Sequence, residues 1–166
     1  MAARGTRATE QLTKLGITHK VHSYPLASAR DGSSESYGVQ AAAVLGVPPG
    51  RVFKTLVASV DGNLTVAVVP VDGQLNLKAL ADAAAGKRAE MAQPAVAERA
   101  TGYVVGGISP IAQRKRLPVI IDATALEHET VYCSAGQRGL QIELAPGDLI
   151  KVTEATVAPI GRPLPR

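Results

Sequence analysis

The sequence predicts an α+β protein built on a mixed, strongly curved, barrel-like β-sheet of six to seven strands surrounded by short helices. Three observations predict it. The chain has 166 residues, 46% of them hydrophobic and 19% charged, enough for one globular core at roughly 150 residues per domain. Short strand-like runs are mixed with four or five short helical periods. Regular strand–helix–strand alternation, the mark of a doubly wound sheet, is missing.

In chain order, a helix is expected over residues 6–15, with Ala8, Leu12 and Leu15 on one face and Gly16 as its stop. Residues 19–24 have extended character, ended by Pro25. Residues 28–36 are small and polar, a loop turning at Asp31-Gly32, and a second helix covers 37–45. Residues 52–60 and 64–71 form a hairpin around a three-residue loop, Asp61-Gly62-Asn63. Asn76 caps a helix over 77–85. Pro94 opens another that ends near Gly102.

Strands at 103–105 and 119–122 flank the segment 106–110, and strands at 130–134 and 140–144 enclose 135–139 as a second hairpin. A last helix runs from Pro146 to about residue 152, followed by a short strand near Thr156. Residues 1–166 read as one domain, with 159–166 as a flexible Pro-rich tail.

Composition excludes several function classes. The single cysteine, Cys133, rules out an internal disulfide, and His19, His22 and His128 lack metal-ligand spacing. Four Tyr, one Phe and no Trp argue against single-strand binding by base stacking. No apolar run approaches the ~18 residues of a membrane span, and the start lacks a signal-peptide core. A cytoplasmic protein with no membrane partner is expected. Eighteen Lys and Arg against fourteen Asp and Glu, net +4, favour polyanions without naming one.

Three places carry chemistry. On strand 52–60, Lys54 shares the more apolar face with Val52, Leu56, Ala58 and Val60, while Phe53, Thr55, Val57 and Ser59 point the other way. A lysine there either meets something anionic or guards a strand end against edge pairing. Gly106-Gly107-Ile108-Ser109-Pro110 is either an ordinary strand-ending turn or a backbone approach to a ligand, with N–H groups for a developing oxyanion. Ser134-Ala-Gly136-Gln-Arg138-Gly139 is either a glycine-rich hairpin turn or a phosphate or carboxylate grip. No Walker A or GxGxxG sequence occurs, which disfavours a nucleotide cofactor.

In order along the chain, His22-Ser-Tyr24, Val52-Phe-Lys-Thr55, Pro70-Val-Asp-Gly-Gln-Leu75, residues 101–110, Arg116-Leu-Pro118 and residues 134–144 resemble the YbaK/EbsC family of free-standing aminoacyl-tRNA deacylases. That family is related to the editing domain of prolyl-tRNA synthetases. The similarity runs from about Thr9 to Val157 and is greatest to the Cys-tRNA(Pro) deacylase branch.

The resemblance implies hydrolysis of Cys-tRNA(Pro) without cofactor or metal, with substrate-thiol assistance proposed for the family. It matches the catalytic lysine to Lys54 and the GxxxP loop to Gly106 and Pro110. Gly107 joins Lys54 and Gly106 as a catalytic candidate, with the N–H groups of Gly106 to Ser109 holding the carbonyl oxygen. Tyr24, Tyr37, Thr55, Ile108, Ser109, Pro110, Ser134, Gly136, Arg138 and Gln141 are the substrate-binding candidates. Gln141 departs from an Asp found in relatives, which removes a charge that would meet the α-amino group.

Expected partners are the tRNA acceptor end and prolyl-tRNA synthetase, not DNA. A deacylase for another small residue such as alanine, or a non-catalytic aminoacyl-tRNA- or synthetase-binding module, are the alternatives. Arg114-Lys-Arg116 reads as a solvated face or a tRNA contact.

Overall fold

A computed structural model of the chain describes residues 5–25 and 34–163, apart from the side chains of residues 34–37. Thr6 opens helix α1 (Arg7–Lys14) with a reciprocal cap: its hydroxyl accepts the Thr9 N–H, and the Thr9 hydroxyl accepts the Thr6 N–H. Ala8 and Leu12 are buried as expected, but Leu15 is 56% exposed, because it caps the helix end instead of continuing its face.

Strand β1 (Lys20–Ser23) and helix α2 (Ser34–Leu45) follow, then β2 (Phe53–Val60), β3 (Asn63–Pro70) and β4 (Gly73–Leu75). Helix α3 (Leu77–Ala83), strand β5 (Ala89–Met91) and helix α4 (Pro94–Thr101) lead to strands β6 (Val119–Asp122), β7 (Val131–Ser134) and β8 (Leu140–Leu144). Helix α5 (Pro146–Thr153) and strands β9 (Thr156–Ala158) and β10 (Gly161–Pro163) complete the described chain.

The strands form a mixed five-stranded sheet in the order β5-β2-β3-β6-β9, a three-stranded sheet β1-β8-β7 and a pair β10-β4. The fold is α+β as the sequence predicts, but the described residues hold ten strands in open sheets and no closed barrel. The extra strands, β4, β5 and β10, have three residues each, too short to show alternation. A single parallel bridge, Val52 to Tyr132, joins the two larger sheets.

One core, including Leu12, Phe53, Val68, Ile121, Ile142 and Leu149, fills the space between those sheets and helices α1 and α5. Ala58, Val60, Val69, Leu80 and Ile160 form another on the far face of the five-stranded sheet. Among the described residues no helix is long and apolar enough to cross a membrane.

Local chemistry explains the remaining differences. The β2–β3 turn has two residues, since Val60 already pairs with Asn63. Asp61 and Gly62 both take positive φ, 50° and 87°, the type I′ turn that an Asp-Gly pair favours. Helix α2 starts at Ser34, so only residues 28–33 of the expected loop remain, and these lie outside the described residues.

Residues 103–105 bend and turn instead of forming a strand. The Glu98 carboxylate takes the Val105 N–H at 2.8 Å, and the Gly107 N–H bonds to the Val104 carbonyl at 2.9 Å, so both are withdrawn from any ladder. The expected tail is also partly structured. Asp122 Oδ1 accepts the N–H groups of Ile160 and Gly161 at 2.9 and 2.8 Å, which seats β10 against β4.

Candidate active site

Strand β2 carries Lys54 into the molecule. It is 6% exposed, and its Nζ donates to the Gly73 carbonyl at 2.9 Å. Gly73 is tightly confined: a Cβ there would lie 2.7 Å from the Arg162 carbonyl oxygen. Strand β10 thereby braces the carbonyl that holds the lysine. Lys54 projects from the apolar face that alternation assigns it.

A narrow cleft opens beside it, with about 30 Å³ accessible to water-sized groups. Lys54, Thr55, Gly106, Ile108, Ser134 and Gln141 line it together with Gly38, Val52 and Phe53. Six of the sequence candidates therefore meet in one place, from four separate parts of the chain. Thr55 and Gln141 are 8% and 7% exposed, and Thr55 Oγ1 and Gln141 Oε1 have no hydrogen-bond partner among the described residues. Such groups are costly to bury unpaired, so they mark where a polar ligand would be received.

The segment 106–110 is held in place by its neighbours. Gly106 sits at φ 92°, accessible to glycine. The Ser134 hydroxyl donates to the Gly107 carbonyl at 3.0 Å and accepts the Gly136 N–H at 3.1 Å. Arg138 closes the same junction, its Nε and Nη2 both donating to the Val105 carbonyl at 3.1 and 2.6 Å. Because the Gly107 N–H is bonded to Val104, the expected row of loop donors is interrupted. Gly106 and Ile108 line the cleft, and their N–H groups have no hydrogen-bond partner among the described residues.

Other candidates sit around this cleft without lining it. Tyr24 is buried, which raises its phenol pKa, and a hydrogen bond with the Gln141 side chain opposes that rise. Ser109 is fully buried and its hydroxyl accepts the Ile111 N–H at 3.2 Å. Pro110 faces a different groove. Gly136 takes φ 108°, and a Cβ there would lie 2.7 Å from the Tyr103 ring, so it serves packing. Tyr37 lies on α2, with its side chain outside what is described. Burial pushes the Cys133 thiol up to about 12, which suits packing and not reaction.

Sequence reasoning missed Gly38, Val52 and Phe53 as walls. Phe53, the single Phe of the chain, directly precedes Lys54. Gly38 was legible as a glycine inside a helical run: a Cβ there would lie 2.4 Å from Val71 Cγ1.

Residues 35–152 match the family described as the aminoacyl-tRNA editing domain. The chain is 39% identical to Enterococcus faecalis EbsC, assigned by name as a Cys-tRNA(Pro)/Cys-tRNA(Cys) deacylase, over 96% of this chain and 98% of that one. It is 28% identical to the Escherichia coli multifunctional Ser/Thr-tRNA deacylase ProXp-y, over 67% of this chain and 70% of that one. Its fold matches a crystal structure titled as a trans-editing enzyme for prolyl tRNA synthetase, with a TM-score of 0.80 and 25% identity over 94% of this chain and 95% of that one.

Proposed function

The chain belongs to the aminoacyl-tRNA editing domain family, and on that premise we propose that it is a trans-acting deacylase that clears cysteine from tRNA(Pro) in the cytoplasm, alongside prolyl-tRNA synthetase. The observation that carries this reading is the buried Lys54 ammonium in a cleft shared with Gly106 and Ile108 and with two unpartnered polar groups, Thr55 Oγ1 and Gln141 Oε1. Cysteine and proline have similar volumes, so a synthetase pocket separates them poorly and a second site has to remove the error.

In this reading the N–H groups of Gly106 and Ile108 hold the ester carbonyl oxygen as it gains charge. The Lys54 ammonium offsets charge on the leaving ribose oxygen or an adjacent phosphate. Thr55 and Gln141 accept from the α-ammonium, and Tyr24 orients Gln141. Ser134, Gly136 and Arg138 position the loop, while Gly107, Ser109 and Pro110 set its shape; Tyr37 remains assigned to the aminoacyl pocket.

The nucleophile is the substrate's own thiol, which gives its proton to water as Sγ attacks the ester carbonyl. The bond to the ribose oxygen breaks, that oxygen takes a proton from water, and the RNA leaves with a restored hydroxyl. Cysteine departs as a small-ring thiolactone that water then opens. Holding thiol and ester together supplies the high effective molarity of an intramolecular reaction.

A second reading is deacylation of another small residue by attack of water, favoured by the similarity to the Ser/Thr-tRNA deacylase. A panel of tRNA(Pro) charged with cysteine, serine and alanine separates the two. Thiol assistance predicts that the cysteine ester alone is cleared rapidly. Equal rates on the serine ester would remove the thiol from the mechanism, and faster alanine release would transfer the activity to the second reading.

A further inference from the structure

A groove of about 890 Å³ meets the site loop at Pro110. Ile108 lines the cleft and Pro110 lines this groove, two residues apart, at most about 7 Å of extended chain. Its walls bring together the ends of α1 and α5 and the segment after Pro110, with Lys115, Arg116 and Lys151 among the lining residues.

The fold adds further cations beside it. The N–H groups of Arg114 and Lys115 bond to the Thr101 and Ala100 carbonyls at 2.8 and 2.9 Å. Arg7 donates to the same Thr101 carbonyl at 3.0 Å and lies 4.8 Å over the Tyr103 ring. Arg7, Arg114, Lys115, Arg116 and Lys151 are all exposed. Two carboxylates, Asp148 and Glu154, also line the groove. Glu154 is ion-paired with Arg116 between largely exposed side chains, a weak pairing that a phosphate can replace.

We propose that this groove docks the phosphodiester backbone of the acceptor-stem duplex, so that the single-stranded 3′ end passes over Pro110 into the cleft. The inference rests on the editing function above for the identity of the RNA. The groove's position supports it: Lys115, Arg116 and Lys151 line it, Arg7 and Arg114 meet beside it at the Thr101 carbonyl, and its Pro110 wall belongs to a loop that also lines the cleft. Few aromatic side chains and many exposed cations suit backbone contact to a duplex, not base reading.

The test is fluorescence anisotropy with an uncharged RNA hairpin carrying a duplex stem and a single-stranded CCA end, across a salt series. Lys115→Glu combined with Lys151→Glu is expected to weaken binding about tenfold and to make the salt slope shallower by about two. Lys78→Glu with Lys87→Glu, an equal charge change at exposed positions outside the groove, is expected to leave binding within about twofold of wild type.

Unchanged binding in the groove variant, or an equal loss in the control, overturns the docking surface. Wild type that fails to cleave any aminoacyl ester while the two variants still differ in binding removes the editing function and leaves the groove standing.

Discussion

Gln141 and Glu143 stand two residues apart on one face of β8, and the structure treats them in opposite ways. Glu143 is fully engaged. His22 Nε2 lies 2.9 Å from one carboxylate oxygen, and the Thr130 hydroxyl donates to the other at 2.6 Å. Arg51, 3.7 Å away, also donates to the Thr130 carbonyl and stacks over Tyr132. The Thr130 hydrogen bond is the largest cause holding the Glu143 carboxyl below its ordinary pKa, and His22 adds to it.

Gln141 is more buried, yet its Oε1 has no partner among the described residues. One polar group secures the sheet; the other stays unpaired at a stability cost of about 1–3 kcal/mol. Under the proposed function, that unpaired group is the one that receives the substrate.

The largest effect expected from breaking this arrangement comes at Gly107, where a Cβ would lie 2.9 Å from the backbone of Gln137 and Arg138. Gly107→Ala shifts the loop off the hairpin, with deacylation falling about 100-fold or more in single-turnover assays, as when an oxyanion donor is lost. Next, Gln141→Leu should lower deacylation about tenfold or more while changing thermal stability by no more than about 1 kcal/mol, because relief of the unpaired Oε1 offsets the lost bond to Tyr24. A clear loss of stability would show that Gln141 belongs with Glu143 as a structural group.

Thr130→Val should do the reverse, costing about 1 kcal/mol in denaturant unfolding with deacylation within about twofold of wild type.

The smallest effect is the pH dependence. The folded pKa of Glu143 is depressed, so its contribution is present above the unfolded carboxylate value, about 4.3, and is lost as pH falls through the folded value. The stability difference between wild type and Glu143→Gln should therefore shrink as pH falls below the unfolded carboxylate value. A gap that widens there would contradict the assignment.

How much was legible in the sequence follows the range of the interactions. The Asn76 cap and the Gly102 stop are local, so residue type alone announces them; it also places the turn after Val60, though with Asn63 wrongly counted in the loop. Lys54 was visible because alternation exposes a charge on an apolar face. Strands β4, β5 and β10 were not, because their three residues include no β-branched or aromatic side chain and pair only with distant partners, whereas the equally short β9 carries Thr156 and Val157. The positioning roles of Ser134 and Arg138 were hidden as well, since their partners lie 27 and 33 residues away. The glycine loop announced itself, but the loss of its Gly107 donor to Val104 depended on residues 103–105 failing to form a strand.

Under the proposed function, the Lys54 ammonium is buried for chemistry and not for the fold. The direct test is single-turnover deacylation of Cys-tRNA(Pro) by Lys54→Met, measured beside its thermal unfolding. A folded protein of equal or greater stability whose deacylation is reduced about 100-fold or more is expected. Wild-type turnover in a folded Lys54→Met protein would contradict it.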